Sequence, residues 1–174
     1  MVTAGREETG AQEQREPPGR AYEDFAVGDV YRHWPGRTLS EADNTWFTLL
    51  TMNTHPLHFD AEYAAKSEYG RIVVNSCLTL SIVAGMSVRD LSQNAICNLG
   101  WTDIRMPAPV FLGDTLYAES EILTKRESAS RPNAGIVTAR TTARKADGTV
   151  VMTYERTFLV PKRGHGVADR PARR

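Results

Sequence analysis

Ile72-Val73-Val74-Asn75-Ser76-Cys77-Leu78-Thr79-Leu80-Ser81-Ile82-Val83-Ala84-Gly85-Met86-Ser87-Val88 contains no charged side chain. Such a run is either a membrane span or a helix enclosed by the rest of a domain. Asn75, Ser76, Thr79, Ser81 and Ser87 interrupt it, and it is shorter than the ~20 apolar residues a bilayer core requires. The spacing therefore predicts a buried helix. Asn75 is a strong N-cap, and Arg89-Asp90 return the chain to water. A helix that is apolar all round is buried all round, so the remaining chain must wrap it.

The wrapping is legible on both sides. From Gln93 the hydrophobic period becomes 2, with candidate strands over residues 94–105, 115–126, 135–145 and 149–160. Asp147-Gly148 joins the last two as a hairpin. Val150, Met152, Tyr154, Phe158 and Val160 share one face of the last strand, broken by Arg156. Upstream, Phe25-Ala26-Val27-Gly28-Asp29-Val30-Tyr31 reads as a turn feeding a first strand. Ser40 with Asp43 forms a variant capping box. The helix it opens runs through Met52 and groups Ala42, Trp46, Leu49, Leu50 and Asn53 on one face. Asp60 caps a short helix over residues 61–69, closed by Gly70 in a left-handed C-cap. Helices come first and antiparallel strands last, an α+β pattern with one buried helix against a curved antiparallel sheet.

The chain has 174 residues with 41% hydrophobic and 24% charged side chains, room for one ordinary domain. Residues 1–20 have almost nothing to bury and read as a disordered arm, residues 21–161 as the domain, and residues 162–174 as a basic tail. Lys162, Arg163, Arg170, Arg173 and Arg174 in that tail outnumber Asp169. It is either a solvated end or a contact for a phosphate-bearing ligand or acidic partner. Lys+Arg and Asp+Glu are equal at 21 each, which gives no electrostatic reason to expect nucleic acid. Two cysteines cannot staple a domain of this size, so a cytoplasmic protein without membrane attachment is expected.

Chemistry concentrates in Asn53-Thr54-His55-Pro56-Leu57-His58-Phe59-Asp60. A histidine takes and returns a proton near neutral pH, whereas an asparagine amide orients water without ionising. The bland alternative is a structural histidine and a helix-capping asparagine. In Asn75-Ser76-Cys77 the first amides of the buried helix are free donors for a carbonyl oxygen that gains negative charge, unless the segment is simply a capped helix. His55, His58 and Asp60 do not have a common zinc spacing, and Pro56 breaks a shared helical face, so no metal is expected. Cys77 reads as a small core cysteine rather than a nucleophile.

Four stretches together resemble the MaoC-like dehydratases, the (R)-specific enoyl-CoA hydratase branch of the hot-dog fold. They are Phe25-x-x-Gly28-Asp29; Asn53-x-x-Pro56-Leu57-His58-x-Asp60; Gly70-Arg71-Ile72-Val73-Val74-Asn75-Ser76; and Ile104-Arg105-x-Pro107-x-Pro109-Val110-Phe111-x-Gly113-Asp114-Thr115. Residues 49–58 and 74–80 are most similar to hydratases of itaconyl-CoA and mesaconyl-CoA. The resemblance implies a hot-dog domain that adds water to a 2-enoyl thioester on CoA or a carrier protein, or removes it, without a cofactor, as a homodimer or an oligomer of dimers. It places His58 in the catalytic pair, Asn53 where the family has an aspartate, and Asn75-Ser76 where the family has His-Gly. The implied roles are His58 as the one base, Asn53 as holder of the water, and Ser76 N–H beside Asn75 on the thioester oxygen. A dicarboxylyl substrate needs a cation, with Arg71, Arg89 and Arg105 as candidates. Loss of the aspartate also suits a thioester-binding subunit. A hot-dog thioesterase, with Asp43 or Asp60 directing water at the carbonyl, is the other alternative.

Overall fold

The computed structural model describes residues 19–169. The expected arm lies outside the described residues except for Gly19 and Arg20, as does the tail beyond Asp169. Strand β1 (Val30–Thr38) is followed by helix α1 (Glu41–Leu50), a 3-10 turn (Pro56–His58), the short α2 (Ala61–Ala65) and α3 (Ser76–Met86). A π-helical turn (Val88–Ser92) leads into β2 (Cys97–Arg105), β3 (Thr115–Glu127), β4 (Ala134–Lys145) and β5 (Val150–Pro161). The strands form one antiparallel sheet in the order β1-β3-β4-β5-β2. Each strand pairing has a register shift, and such bulges sharpen twist and bend a sheet. This is the α+β hot-dog arrangement, with α3 as the central helix.

The core lies between α3 and the inner face of the sheet. Leu78 and Val83 of α3 pack with Val110, Leu116, Met152 and Tyr154, while Phe25, Leu91, Ile122, Val137 and Phe158 fill the other end. The expected strands are found nearly in place, and the inner face of β5 alternates as read. Its polar interruption, Arg156, is buried. The guanidinium carbon sits 5.5 Å from the Trp101 ring centroid and 5.2 Å from that of Phe158, and Nη2 donates to Ser92 Oγ at 3.2 Å. Burial in this apolar setting pulls its pKa down.

A second polar inset ties β1 to the turn after α3. His33 Nδ1 lies 2.7 Å from Asp90 Oδ2, and its Nε2 lies 2.8 Å from Ser120 Oγ, itself 2.7 Å from Thr141 Oγ1. The His33 and Ser120 side chains are buried. Replacing His33 by alanine leaves Ser120 and Asp90 short of partners. The expected loss is ~2–3 kcal/mol of stability, read as a lower urea midpoint.

Three helical readings need correction. Ser40 and Asp43 form the capping box as expected, and the Ser40 amide and hydroxyl hold the Asp43 carboxyl below its usual range. That contribution is therefore present above the unfolded carboxylate pKa and is lost as pH falls through the lower folded value. But α1 ends at Leu50, and within the chain it buries Asn44 and Thr48 rather than its apolar stripe. Trp46, Leu49 and Leu50 are 70%, 59% and 76% exposed. The reason is hydrogen bonding: Asn44 and Thr48 meet buried polar groups that no apolar side chain could satisfy. Helix α3 is not buried all round either. Ser76, Cys77, Ser81 and Gly85 form an exposed stripe, so Cys77 is a surface cysteine rather than a core one. The short helix α2 stops at Ala65, although Gly70 does take the left-handed conformation at φ 65°.

Candidate active site

Met52 turns the chain out of α1 in the left-handed conformation, φ 56°, a strained choice for a side-chain-bearing residue. Asn53 follows at once. Its Oδ1 accepts from His55 N–H at 3.0 Å and so fixes the mouth of the 3-10 turn. The amide end of Asn53 that remains is Nδ2, a donor only. An aspartate here could close the same turn with one oxygen and accept from water with the other.

His58 ends the turn. Its Nδ1 lies 2.8 Å from the carbonyl oxygen of Val73. A carbonyl only accepts, so Nδ1 carries the proton, and in the neutral ring Nε2 holds the free lone pair. Val73 N–H in turn donates to Leu57 C=O at 3.2 Å, which clamps the segment before α3 against the His58 turn. Val73 also lines a cavity of about 240 Å³ together with Tyr69, Ser76, Thr79, Met106 and Met152. Val73 thus links the His58 ring to the cavity wall.

Asn75 caps α3 as expected, and its Oδ1 takes Cys77 N–H at 2.9 Å. Of the two amides read as free, Cys77 N–H is therefore engaged. Among the described residues Ser76 N–H has no acceptor, and Ser76 lines the cavity. An unpaired first-turn amide at the positive end of a helix suits an oxygen that becomes negative.

Sequence reasoning missed the residue that joins these parts. Asn44, 1% exposed, donates from Nδ2 to His58 C=O at 2.7 Å and accepts Asn75 N–H on Oδ1 at 2.8 Å. One amide side chain thereby spans the His58 turn and the start of α3. Its only signal in the sequence was a polar residue interrupting a helix with no surface partner in view. Thr48 supports it, with Asn75 Nδ2 donating to Thr48 Oγ1 at 3.3 Å.

The candidate cations are dispersed. The Arg71 guanidinium stacks 3.7 Å from the Phe111 centroid and lines a neighbouring hollow with Gly70 and Leu112, outside the cavity lining. Arg105 pairs with Asp103 at 2.7 Å. Arg89 lies past the far end of α3. His55 sits beside His58 with ring centroids 5.7 Å apart, but its Nδ1 accepts from Leu57 N–H. Asp60 accepts from Tyr63 N–H as the α2 cap, and among the described residues no cluster suited to a metal ion occurs.

A hot-dog domain with a histidine clamped beside the start of its central helix defines the MaoC-like class of proteins. A family model described as mesaconyl-CoA hydratase matches residues 7–172, and the chain belongs to that family. A mesaconyl-CoA hydratase of Cereibacter sphaeroides is 34% identical over 145 residues, covering 83% of this chain and 42% of that one. The chain thus spans under half the length of that curated relative. The solved structure of a MaoC domain protein dehydratase from Chloroflexus aurantiacus superposes with TM-score 0.81 at 31% identity, over 92% of this chain and 45% of that one. A Mycobacterium tuberculosis protein described as a double hot-dog fold matches with TM-score 0.77 at 23% identity, over 89% of this chain and 52% of that one.

Proposed function

We propose that this domain is a hydro-lyase that adds water to the double bond of a short 2-enoyl thioester, or removes it, with a branched dicarboxylyl acyl-CoA such as mesaconyl-CoA or itaconyl-CoA as substrate. The observation that carries the reading is the His58–Val73 hydrogen bond, which leaves Nε2 as the free ring nitrogen on a turn tied to Val73, a residue that lines the same cavity as Ser76 although His58 and Asn53 do not. Membership of the mesaconyl-CoA hydratase family supports it.

The reaction needs one ionisable group. Water bonds through oxygen to the β-carbon as His58 Nε2 takes its proton. The double-bond electrons move onto the thioester oxygen, where Ser76 N–H meets the enolate. The enolate then takes the proton from the His58 imidazolium at the α-carbon, on the same face. Asn53 Nδ2 donates to the water and aims its second lone pair. Dehydration runs these steps in reverse, and neither direction consumes a cofactor.

The test is the enoyl-thioester absorbance of mesaconyl-CoA, itaconyl-CoA and crotonyl-CoA with purified protein. Loss of the conjugated band with a mass gain of one water is expected. Released thiol would mean a thioesterase instead, and binding without change would mean a binding subunit. Asn53→Asp is expected to keep the turn closed and stay active. It adds a carboxylate, so its rate should gain an acidic ionisation that the parent profile lacks; an unchanged profile would remove Asn53 from the water site.

The working form is proposed to be a homodimer in the cytoplasm. Supporting this, the exposed stripe of α1 leads directly into the Asn53 turn. Edge strand β2 leaves Leu99 51% and Ile104 41% exposed. A paired second copy would cover that open edge and match the greater length of the Cereibacter sphaeroides relative, of which this chain covers 42%. Light scattering should give twice the chain mass of 19.3 kDa. Leu99→Lys with Ile104→Lys should give the monomer with much reduced turnover.

A further inference from the structure

A dicarboxylyl substrate brings a second carboxylate, and none of the three arginines read for it lines the cavity with Ser76. Mesaconyl-CoA carries that carboxylate on the β-carbon itself, the atom that takes the water oxygen. A base reaches the water at ~2.6–3.2 Å and the water stands ~3–3.5 Å from the carbon, so the carboxylate lies within roughly 6 Å of His58 Nε2. Its partner must be a close neighbour of the His58 ring.

His55 is such a neighbour, with its ring centroid 5.7 Å from that of His58. It is exposed, yet it is fixed from several directions. Its backbone N–H donates to Asn53 Oδ1 at 3.0 Å, and its Nδ1 accepts from Leu57 N–H at 3.2 Å. The Tyr63 ring meets it edge-on, centroids 6.1 Å apart. A ring nitrogen that accepts from an amide carries no proton, so the neutral imidazole has its proton on Nε2. The two histidines are thus held in opposite tautomers. His58 has Nδ1–H bound to Val73 C=O and Nε2 open to accept, whereas His55 has Nδ1 bound and Nε2–H open to donate. Among the described residues His55 Nε2 has no hydrogen-bond partner.

We propose that His55 Nε2–H binds the carboxylate on the β-carbon of a dicarboxylyl thioester and so sets the preference for that substrate class, an assignment that rests on the hydro-lyase reading above. A neutral donor suits this position better than a guanidinium would. His58 becomes an imidazolium during the reaction, and a cation beside it would oppose that charge, whereas a carboxylate held there favours it. The exposure of His55 also leaves the carboxylate part of its hydration, so it is not stripped of water against a single donor.

The competing role is a plain cap, an imidazole that closes the 3-10 turn by accepting Leu57 N–H. His55→Asn separates the two. Asparagine is a strong N-cap and keeps the turn closed, but it is too short to carry a donor to the place of Nε2. Titration calorimetry of the full chain compares methylsuccinyl-CoA with 2-methylbutyryl-CoA, saturated thioesters that cannot be hydrated and that differ by a carboxylate against a methyl group. The parent should bind the dicarboxylyl thioester ~10-fold more tightly, about the worth of one charge-assisted hydrogen bond. In His55→Asn that preference should vanish. No preference in the parent, or the same preference in His55→Asn, overturns the assignment. Turnover of mesaconyl-CoA by the parent is read alongside. A preference that depends on His55 without any hydration would end the hydro-lyase reading and leave the carboxylate site standing; hydration without the preference would end the role of His55 alone.

Discussion

His58→Ala should lower kcat for hydration by ~100- to 10,000-fold, the usual contribution of a general base, while leaving the fold intact. The ring is half-buried and its one described hydrogen bond to protein runs to Val73 C=O, so its removal costs one hydrogen bond and little packing. The reaction loses more. Without Nε2 the proposed scheme loses the group that takes the proton of the attacking water, and Asn53 cannot substitute because a carboxamide does not ionise. A family aspartate would leave a residual base in such a variant; this chain has none at that position. His58→Gln sharpens the test, because a glutamine can still donate to Val73 C=O and keep the turn closed. It should be as inactive as the alanine variant. Near-normal turnover in either would show that His58 is a structural histidine and end the one-base scheme.

The parts of this molecule that the sequence exposed are those that repeat. Period 2 over β3, β4 and β5 survives because each strand has one face against α3, and the uncharged run around Asn75 can only be central. The cap at Asn75 was equally plain, since N-cap chemistry is local, whereas the helix read to Val88 ends at Met86 and passes into a π-helical turn. What stayed hidden depends on single contacts between distant segments. Nothing near Asn44 signals that both ends of its amide are taken by residues 14 and 31 positions away. The same contacts rotated α1, so that its apolar stripe faces outward and two polar residues face in. Likewise, a run without charge does not tell which stripe of α3 the sheet leaves open, so Cys77 was placed inside when it lies outside. Arg71 shows the limit for site residues: its motif position was right for a neighbour of Val73, but the Phe111 ring sets its direction.

Asn44 therefore carries the second large effect expected here. Asn44→Ala leaves His58 C=O without its donor and Asn75 N–H without its acceptor, both in a buried setting. Each stranded group costs ~1–3 kcal/mol, so the urea midpoint should fall by an amount corresponding to a few kcal/mol. The catalytic consequence is distinct from that loss. Asn44 sets where the base-bearing turn stands relative to the helix that presents Ser76 N–H, and a misplacement of ~1 Å can cost ~100-fold in rate. Asn44→Asp separates the two effects. A carboxylate still accepts Asn75 N–H and keeps the α3 side satisfied, but it places an oxygen against His58 C=O and pushes the turn away. The expected result is a folded protein with kcat down by ~10- to 100-fold. A folded Asn44→Asp with full kcat would mean that the His58 turn holds its place through Val73 alone.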